Sequence, residues 1–492
     1  MQSGNDARPF LGLALALVAG ITLIRIAVLV ASPLELYPDE AQYWWWAQAP
    51  DIGYFSKPPL IAWLIRASTI VSGDREWAIR LPIPLLHAGT ALIMFAIARS
   101  AYPKQPALAF WCAAAYITLP GVSYSSGLAS TDAPLLFFWS IALFAFLRAA
   151  ANIAWRWPLL CGAALGLGLL AKYAMFFFVV GAMGAAVLHA GVRQLIFSRY
   201  GLATACIAAV VVAPNIAWNA SHAFTTLAHL GSNADWLHAQ FSIAQLLRFI
   251  GSQFGVFGPV LSAAAIVAFW HCLRRGPDTA ATAILCTMSA APLVLIALQA
   301  LVAGAKANWA AAAYIAALPL ALDQILARWP RLALWTSFAL HGAVLVLLWV
   351  VLILPPVADR LGIGNVFKRQ QGWRELAEAV SDALSHGSYD VVASENRSVT
   401  AELLYYLRTP RPPIRIWAPD TANRNHFEMT VRLTGGARHV LLVLLPEDAS
   451  LVAKTFESVR PVTLLSMPDN RRHRRVLGLY DAHFYRGPAA AG

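Results

Sequence analysis

The sequence predicts a mainly α, polytopic transmembrane helical bundle of about eleven spans with a small C-terminal extracytoplasmic α/β domain. Three observations predict it. Hydrophobic residues fill 59% of 492 positions and charged residues only 13%, against roughly 25% charged in soluble domains. Apolar runs approaching the roughly 20 residues of a spanning helix recur through the first two-thirds of the chain. From about residue 357 the runs shorten to strand length and alternate with helical patterns, as in a small α/β domain. The expected domains are therefore 1–356, the membrane part, and 357–492.

Reading apolar runs between polar breaks places spans at 10–31, 80–99, 106–119, 132–149, 158–171, 174–190, 200–217, 249–271, 279–303, 307–326 and 332–355. The first run is too long for a signal-peptide core and no small-residue cleavage site follows it, so it reads as a retained anchor. The fifth is short and flanked by Pro158 and Lys172, as expected of a helix that crosses part-way or packs inside the bundle. In the C-terminal domain, strands are expected at 440–445 and 459–467 and helices at 373–384 and 399–407.

The loops sort into two sets. Lys104, Arg148 with Arg156, Arg193 with Arg199, Arg274-Arg275 and Arg328 with Arg331 lie in short basic loops, the mark of the cytoplasmic side. The long loops 32–79 and 218–248, and the acids Asp39, Glu40, Asp51, Asp74 and Asp132, fall on the other side. Eleven spans with the N-terminus inside put the C-terminal domain outside. The net charge of +12 is thus largely a topology signal, and no nucleic-acid partner is expected. The run Arg471-Arg472-His473-Arg474-Arg475 reads either as a face for anionic lipid headgroups or as a solvated turn. Five cysteines, all within apolar runs, form neither a disulfide framework nor a metal-ligand spacing.

Ionisable residues gather at the outer ends of spans. The densest stretch is Tyr37-Pro-Asp39-Glu40-Ala-Gln-Tyr-Trp-Trp-Trp46, followed by Gly53-Tyr54-Phe-Ser-Lys57-Pro-Pro-Leu60. Asp39 and Glu40 suit a reactive acid or the positive end of a helix. The tryptophans suit the headgroup boundary. Asp132, in Ser130-Thr-Asp132-Ala-Pro134, opens the fourth span and has the same two readings. Lys57, Arg80, Lys172 and Lys306 are the cations that can meet a phosphate. A charge in apolar surroundings is expensive and commonly functional, with snorkelling to headgroups the alternative. Arg25, inside the first span, has no partner legible in the sequence. Carboxylates and cations converging on one membrane boundary suit a reaction between a lipid phosphodiester and an acceptor outside the cytosol.

At these residues the chain resembles the bacterial GT-C glycosyltransferases, a superfamily that includes aminoarabinose transferases of lipid A, rhizobial lipopolysaccharide galacturonosyltransferases and protein O-mannosyltransferases. Pro38-Asp39-Glu40 is similar to the family's acidic signature, Phe55-Ser-Lys57-Pro-Pro-Leu60 to a Phe-Glu-Lys-Pro-Pro element and Ser130-Thr-Asp132-Ala-Pro134 to the second acidic element. Leu170-Ala-Lys172-Tyr173, Pro214-Asn-Ile-Ala-Trp-Asn219 with His222, Lys306-Ala-Asn-Trp309 and, more loosely, Ala401-Glu-Leu-Leu-Tyr-Tyr-Leu407 extend the likeness. The resemblance implies inverting transfer of a sugar from a polyprenyl-phosphate donor to a lipid, polysaccharide or protein acceptor at a bacterial inner membrane, with the site facing the periplasm. It implies Asp39 as general base, with Glu40 beside it, and Asp132 as an orienting acid. Lys57, Arg80, Lys172 and Lys306 would bind the donor phosphate, and Tyr54 and His222 the sugar or acceptor. The family's metal-associated glutamate is Ser56 here, so no cofactor or divalent metal is expected at this site, and activity is expected to survive chelation. A lipid-linked sugar flippase or a non-catalytic subunit of the same fold are the rival readings. A flippase needs polar groups through the membrane, and the cytoplasmic half offers only loop arginines.

Overall fold

The computed structural model describes residues 8–234, 241–408, 412–468 and 474–487. Residues 471–473 of the basic run lie outside the described residues. The chain divides into two compact units, one of 1–30, 57–64 and 80–349, the other of 31–56, 65–79 and 350–492.

The first unit is helical. Six described helices are long and apolar enough to cross a membrane: Arg8–Ala31, Glu76–Ala101, Asp132–Ala151, Arg199–Ser221, Ala280–Ala303 and Arg331–Ile353. A bent pair raises the number to seven, so the expected eleven spans are not confirmed. Helices do occupy the remaining expected segments, but local chemistry shortens or breaks them. Pro106–Thr118, Arg156–Ala171 and Tyr173–Leu188 have 10–17 residues, and 16 residues reach only about 24 Å against roughly 30 Å of hydrocarbon. Lys172 separates two of them with an extended backbone, φ −162° and ψ 132°. The expected span 307–326 starts as a 3-10 turn, Ala307–Ala310, and continues as Ala313–Arg328.

The expected span 249–271 is two helices, Ile243–Phe257 and Pro259–Arg275, meeting at 111°. Gly258 makes the break. Its φ of +90° suits glycine, and a Cβ there would lie 2.4 Å from His341 Nε2. Small residues also let whole helices approach. A Cβ on Gly166 would meet the Val211 side chain at 2.5 Å, the close packing that replaces hydrophobic driving force inside a membrane.

The second unit is built on a five-stranded sheet of order β2-β1-β3-β5-β4. The strands are β1 Val391–Ser394, β2 Ile414–Ile416, β3 His439–Leu444, β4 Phe456–Pro468 and β5 Arg474–Tyr485. Strands β2, β1 and β3 run parallel, while β5 is antiparallel to both β3 and β4. The expected strands thus fall in β3 and β4, and the expected helices are Trp373–His386 and Arg397–Tyr406. The first of these buries Trp373, Leu376, Ala377 and Val380, an i, i+3, i+4, i+7 face. Asn396 caps the second, its Oδ1 accepting from the Ser398 and Val399 backbone amides, and so fixes Arg397 in the first turn. The helix Pro38–Gln48, which carries the first acidic motif, belongs to this unit as well.

Candidate active site

In the second unit, the two neighbouring acids of the loop motif have different environments. Pro38 begins the helix and Tyr37 caps it. Glu40 reaches back, its Oε2 accepting the Tyr37 amide proton at 2.9 Å, the reciprocal half of a capping box. It is fully buried, so the reading as a helix cap describes Glu40. Asp39 faces the other way, its side chain 44% exposed. Arg397 donates to Asp39 Oδ1 at 2.9 Å and, through its other terminal nitrogen, to Gln42 Oε1 at 2.7 Å. Asp39 and Gln42 are three residues apart on one helix and share a face, which is why one guanidinium reaches both. Asp39 Oδ2 has no hydrogen bond among the described residues.

The rest of the loop motif is held by the C-terminal domain. Arg369 donates to the Tyr37 hydroxyl at 2.5 Å and lies over its ring. Glu35 caps the helix Trp373–His386 by accepting the Trp373 and Arg374 amides at 2.6 and 3.2 Å. Trp44 donates to Asp74 at 2.7 Å, and Arg374 pairs with Glu76. Tyr54, expected at the sugar or acceptor, is instead packed away at 2% exposure. Its ring stacks on Trp46 at 4.4 Å. Its hydroxyl donates to the Trp46 carbonyl and accepts the Asp51 amide. His426 packs against both rings, and burial lowers its pKa to about 4.

In the first unit, Asp132 is the centre of a second cluster. Lys172 donates to its Oδ1 at 2.6 Å and Asn308 to its Oδ2 at 2.6 Å. The Lys172 and Asp132 side chains are 21% and 14% exposed. Lys57 adds a favourable charge at the same carboxylate. The extended backbone that ends the helix Arg156–Ala171 presents Lys172, and the 3-10 turn Ala307–Ala310 presents Asn308. Next to Lys172, the Tyr173 hydroxyl donates to Asn215 Oδ1 at 2.7 Å and accepts from Asn219 at 3.1 Å. Four separate sequence motifs, around residues 132, 172, 215 and 308, therefore meet.

The other expected site residues divide. Lys306 is exposed, immediately before the turn that carries Asn308. Arg80 is 1% exposed, and so reaches a ligand only through the interior. His222 stacks on Trp218 at 4.0 Å with Nδ1 2.8 Å from the Trp218 carbonyl oxygen, which leaves Nε2 as its outward nitrogen. Arg25 is 3% exposed and donates to the Ile117 carbonyl at 2.6 Å, with Ser123 Oγ at 3.4 Å, so it ties the first span to the turn after Thr118. Sequence reading missed Arg397, Gln42 and Asn308. Arg397 carries no motif, and only its place behind a capping asparagine marks it.

The chain is similar to several known proteins. A family model described as dolichyl-phosphate-mannose-protein mannosyltransferase matches residues 56–218. The lipid A galacturonosyltransferase RgtD of Rhizobium johnstonii is 36% identical over 452 residues, 91% of this chain and 93% of that protein. The lipopolysaccharide core galacturonosyltransferase RgtA of the same organism is 31% identical over 204 residues, 41% of this chain and 40% of that one. Among solved structures, ArnT from Cupriavidus metallidurans bound to undecaprenyl phosphate superposes with a TM-score of 0.66, at 16% identity, over 95% of this chain and 98% of that chain. At that identity the likeness is one of fold.

Proposed function

The chain belongs to the GT-C superfamily of membrane glycosyltransferases, and on that premise we propose that it transfers a uronic acid from a polyprenyl phosphate to a lipid A-type glycolipid. Its full-length relative is a lipid A galacturonosyltransferase, which supports both the acidic sugar and the lipid acceptor. The sidedness of basic and acidic loops supports a site and a C-terminal domain on the periplasmic face of a bacterial inner membrane.

One observation carries the mechanism. Asp39 is a half-exposed carboxylate with Oδ1 held by Arg397 and Oδ2 without a partner among the described residues. In the proposed reaction an acceptor hydroxyl attacks the anomeric carbon from the face opposite the phosphate. Oδ2 takes its proton, which requires a heavy-atom separation of about 2.6–3.2 Å. The bond from the anomeric carbon to phosphate oxygen breaks, and its electron pair leaves on polyprenyl phosphate. The product is inverted. Because the leaving group is a stable anion, fixed cations replace a general acid. Lys57, Arg80, Lys172 and Lys306 are assigned to it. Asp132 holds Lys172 in place and, with Asn308, orients the sugar or the acceptor. No step calls for a metal.

The test is transfer by purified protein from polyprenyl-phosphate galacturonic acid to lipid A, read by mass spectrometry. The reading predicts a product heavier by one uronic acid residue and no product from the matching neutral hexose donor. Transfer from the hexose donor alone would refute the choice of sugar, and transfer to protein or polysaccharide alone would refute the acceptor.

A further inference from the structure

We propose that His439, Asp481 and His483 form a binding site for one divalent transition metal of the zinc type, on the C-terminal domain and separate from the transfer chemistry. The three residues sit on paired strands. His439 of β3 is directly opposite His483 of β5, and Asp481 is two residues away on the same face of β5. One ligand atom from each lies within 4.8 Å of the others.

The hydrogen-bond pattern defines what belongs among them. His439 Nδ1 is 2.6 Å from the Ser388 carbonyl oxygen. A carbonyl only accepts, so Nδ1 carries a proton, and in the neutral ring Nε2 is a bare lone pair. That lone pair points at Asp481 Oδ1, 2.6 Å away, and His483 Nε2 lies 3.3 Å from the same oxygen. With His483 in the tautomer that leaves Nε2 unprotonated, three lone-pair atoms converge on one point, the arrangement that a cation fills. Two imidazoliums stacked face to face at 4.4 Å and 11° would repel, so protons fill the cluster only with one ring neutral, whereas a metal ion lets both rings stay neutral. One cation bound by two neutral imidazoles and a carboxylate answers all three. Arg460 of β4 is opposite Asp481 in the ladder but forms no ion pair with it among the described residues, so the carboxylate stays available.

The donor set selects the ion. Two imidazoles and one carboxylate suit zinc and its neighbours rather than calcium or magnesium, which take oxygen ligands. The Ser388 carbonyl orients the His439 ring in the way a metal-bound histidine is usually oriented. The side chains are 25%, 29% and 37% exposed, which leaves a coordination position for water. The ion would clamp β3 to β5, where the sheet changes from parallel to antiparallel.

The experiment uses the full chain, purified in detergent without a polyhistidine tag, stripped with a chelator and dialysed against zinc chloride. One zinc per chain is expected, with an upward shift in the unfolding temperature of the loaded protein. His439→Ala and His483→Ala are expected to bind at least about 100-fold more weakly, taking outer-shell losses of up to that size as a floor, with transferase rates unchanged. His386→Ala, an exposed histidine elsewhere in the domain, is expected to bind like wild type. X-ray absorption at the zinc edge of the wild type decides the matter even if a variant misfolds. Two imidazoles in a nitrogen and oxygen shell uphold the site. No retained zinc, a sulfur shell, or equal binding by both histidine variants would overturn it.

Discussion

Asp132 and Asp39 both stand in the first turn of a helix and both are held by a cation, yet their surroundings give them different work. Asp132 has both oxygens engaged, by Lys172 and Asn308, and is mostly covered. Asp39 has one oxygen held, by Arg397, and nearly half its side chain exposed. A saturated carboxylate orients its neighbours. A carboxylate with an open oxygen can accept a proton. The comparison also separates the acids within the loop motif, since Glu40 is spent on its own helix terminus.

The largest effect that can break this contrast is at Lys172. Lys172→Met leaves Asp132 as a poorly compensated charge and should destabilise the protein by about 3 kcal/mol or more, the cost of breaking a buried pair. Adding Asp132→Leu should recover much of that stability in a thermal unfolding assay but no transfer. Recovery of transfer would show the pair to be structural only. Next is Arg397→Gln, expected to lower the transfer rate about tenfold at saturating donor while the donor KM stays within a factor of about two, because it frees Asp39 rather than a donor contact. Arg397→Lys should restore part of the rate. A pure rise in KM would instead make Arg397 a substrate-binding residue.

A smaller effect separates the domain's stability from catalysis. Glu395, immediately after β1, accepts the Leu445 amide, and burial raises its pKa from 4.5 to about 7. The folded state therefore favours its protonated form. Its contribution to stability is full below pH 4.5 and is lost as pH rises through about 7. Unfolding of the C-terminal domain should follow that sign, and Glu395→Gln should flatten the dependence between pH 4.5 and 7. The smallest expected effect is at Glu40. Glu40→Gln keeps an acceptor for the Tyr37 amide, so it should cost under about 1 kcal/mol of stability and leave transfer within a few-fold of wild type.

How much of this was legible follows from the cost of charge in each setting. That Lys172 and Asp132 pair was not legible across the forty positions that separate them, but Lys172 stood out as a charge in apolar surroundings and Asp132 as an acid opening a span. The amphipathic face of Trp373–His386 and the apolar runs of β3 and β4 were equally plain. The break at Gly258 is easy to pass over, since 249–271 reads as one apolar run, although Gly258-Pro259 pairs a residue free to take a positive φ with one that has no amide proton to continue a helix. Of the short helices around Lys172, the first is legible as short from its flanking Pro158 and Lys172, while 174–190 reads as a full span because composition does not report where a backbone turns extended. Arg397 is one arginine among many in a polar domain, so nothing in the sequence ties it to a residue more than three hundred positions earlier. The strand β5 alternates polar and apolar residues beside a basic run, and the His439 and His483 pair appears only once its register is known.

The most direct test of the account is the single-turnover transfer rate of Asp39→Asn with polyprenyl-phosphate uronic acid already bound. If Asp39 is the general base, the rate should fall by about 10³-fold, within the range such groups supply, while donor affinity stays within a factor of about three. A rate within tenfold of wild type, with donor bound as tightly, would contradict the account and leave Asp39 as a helix-end carboxylate that Arg397 holds for stability alone.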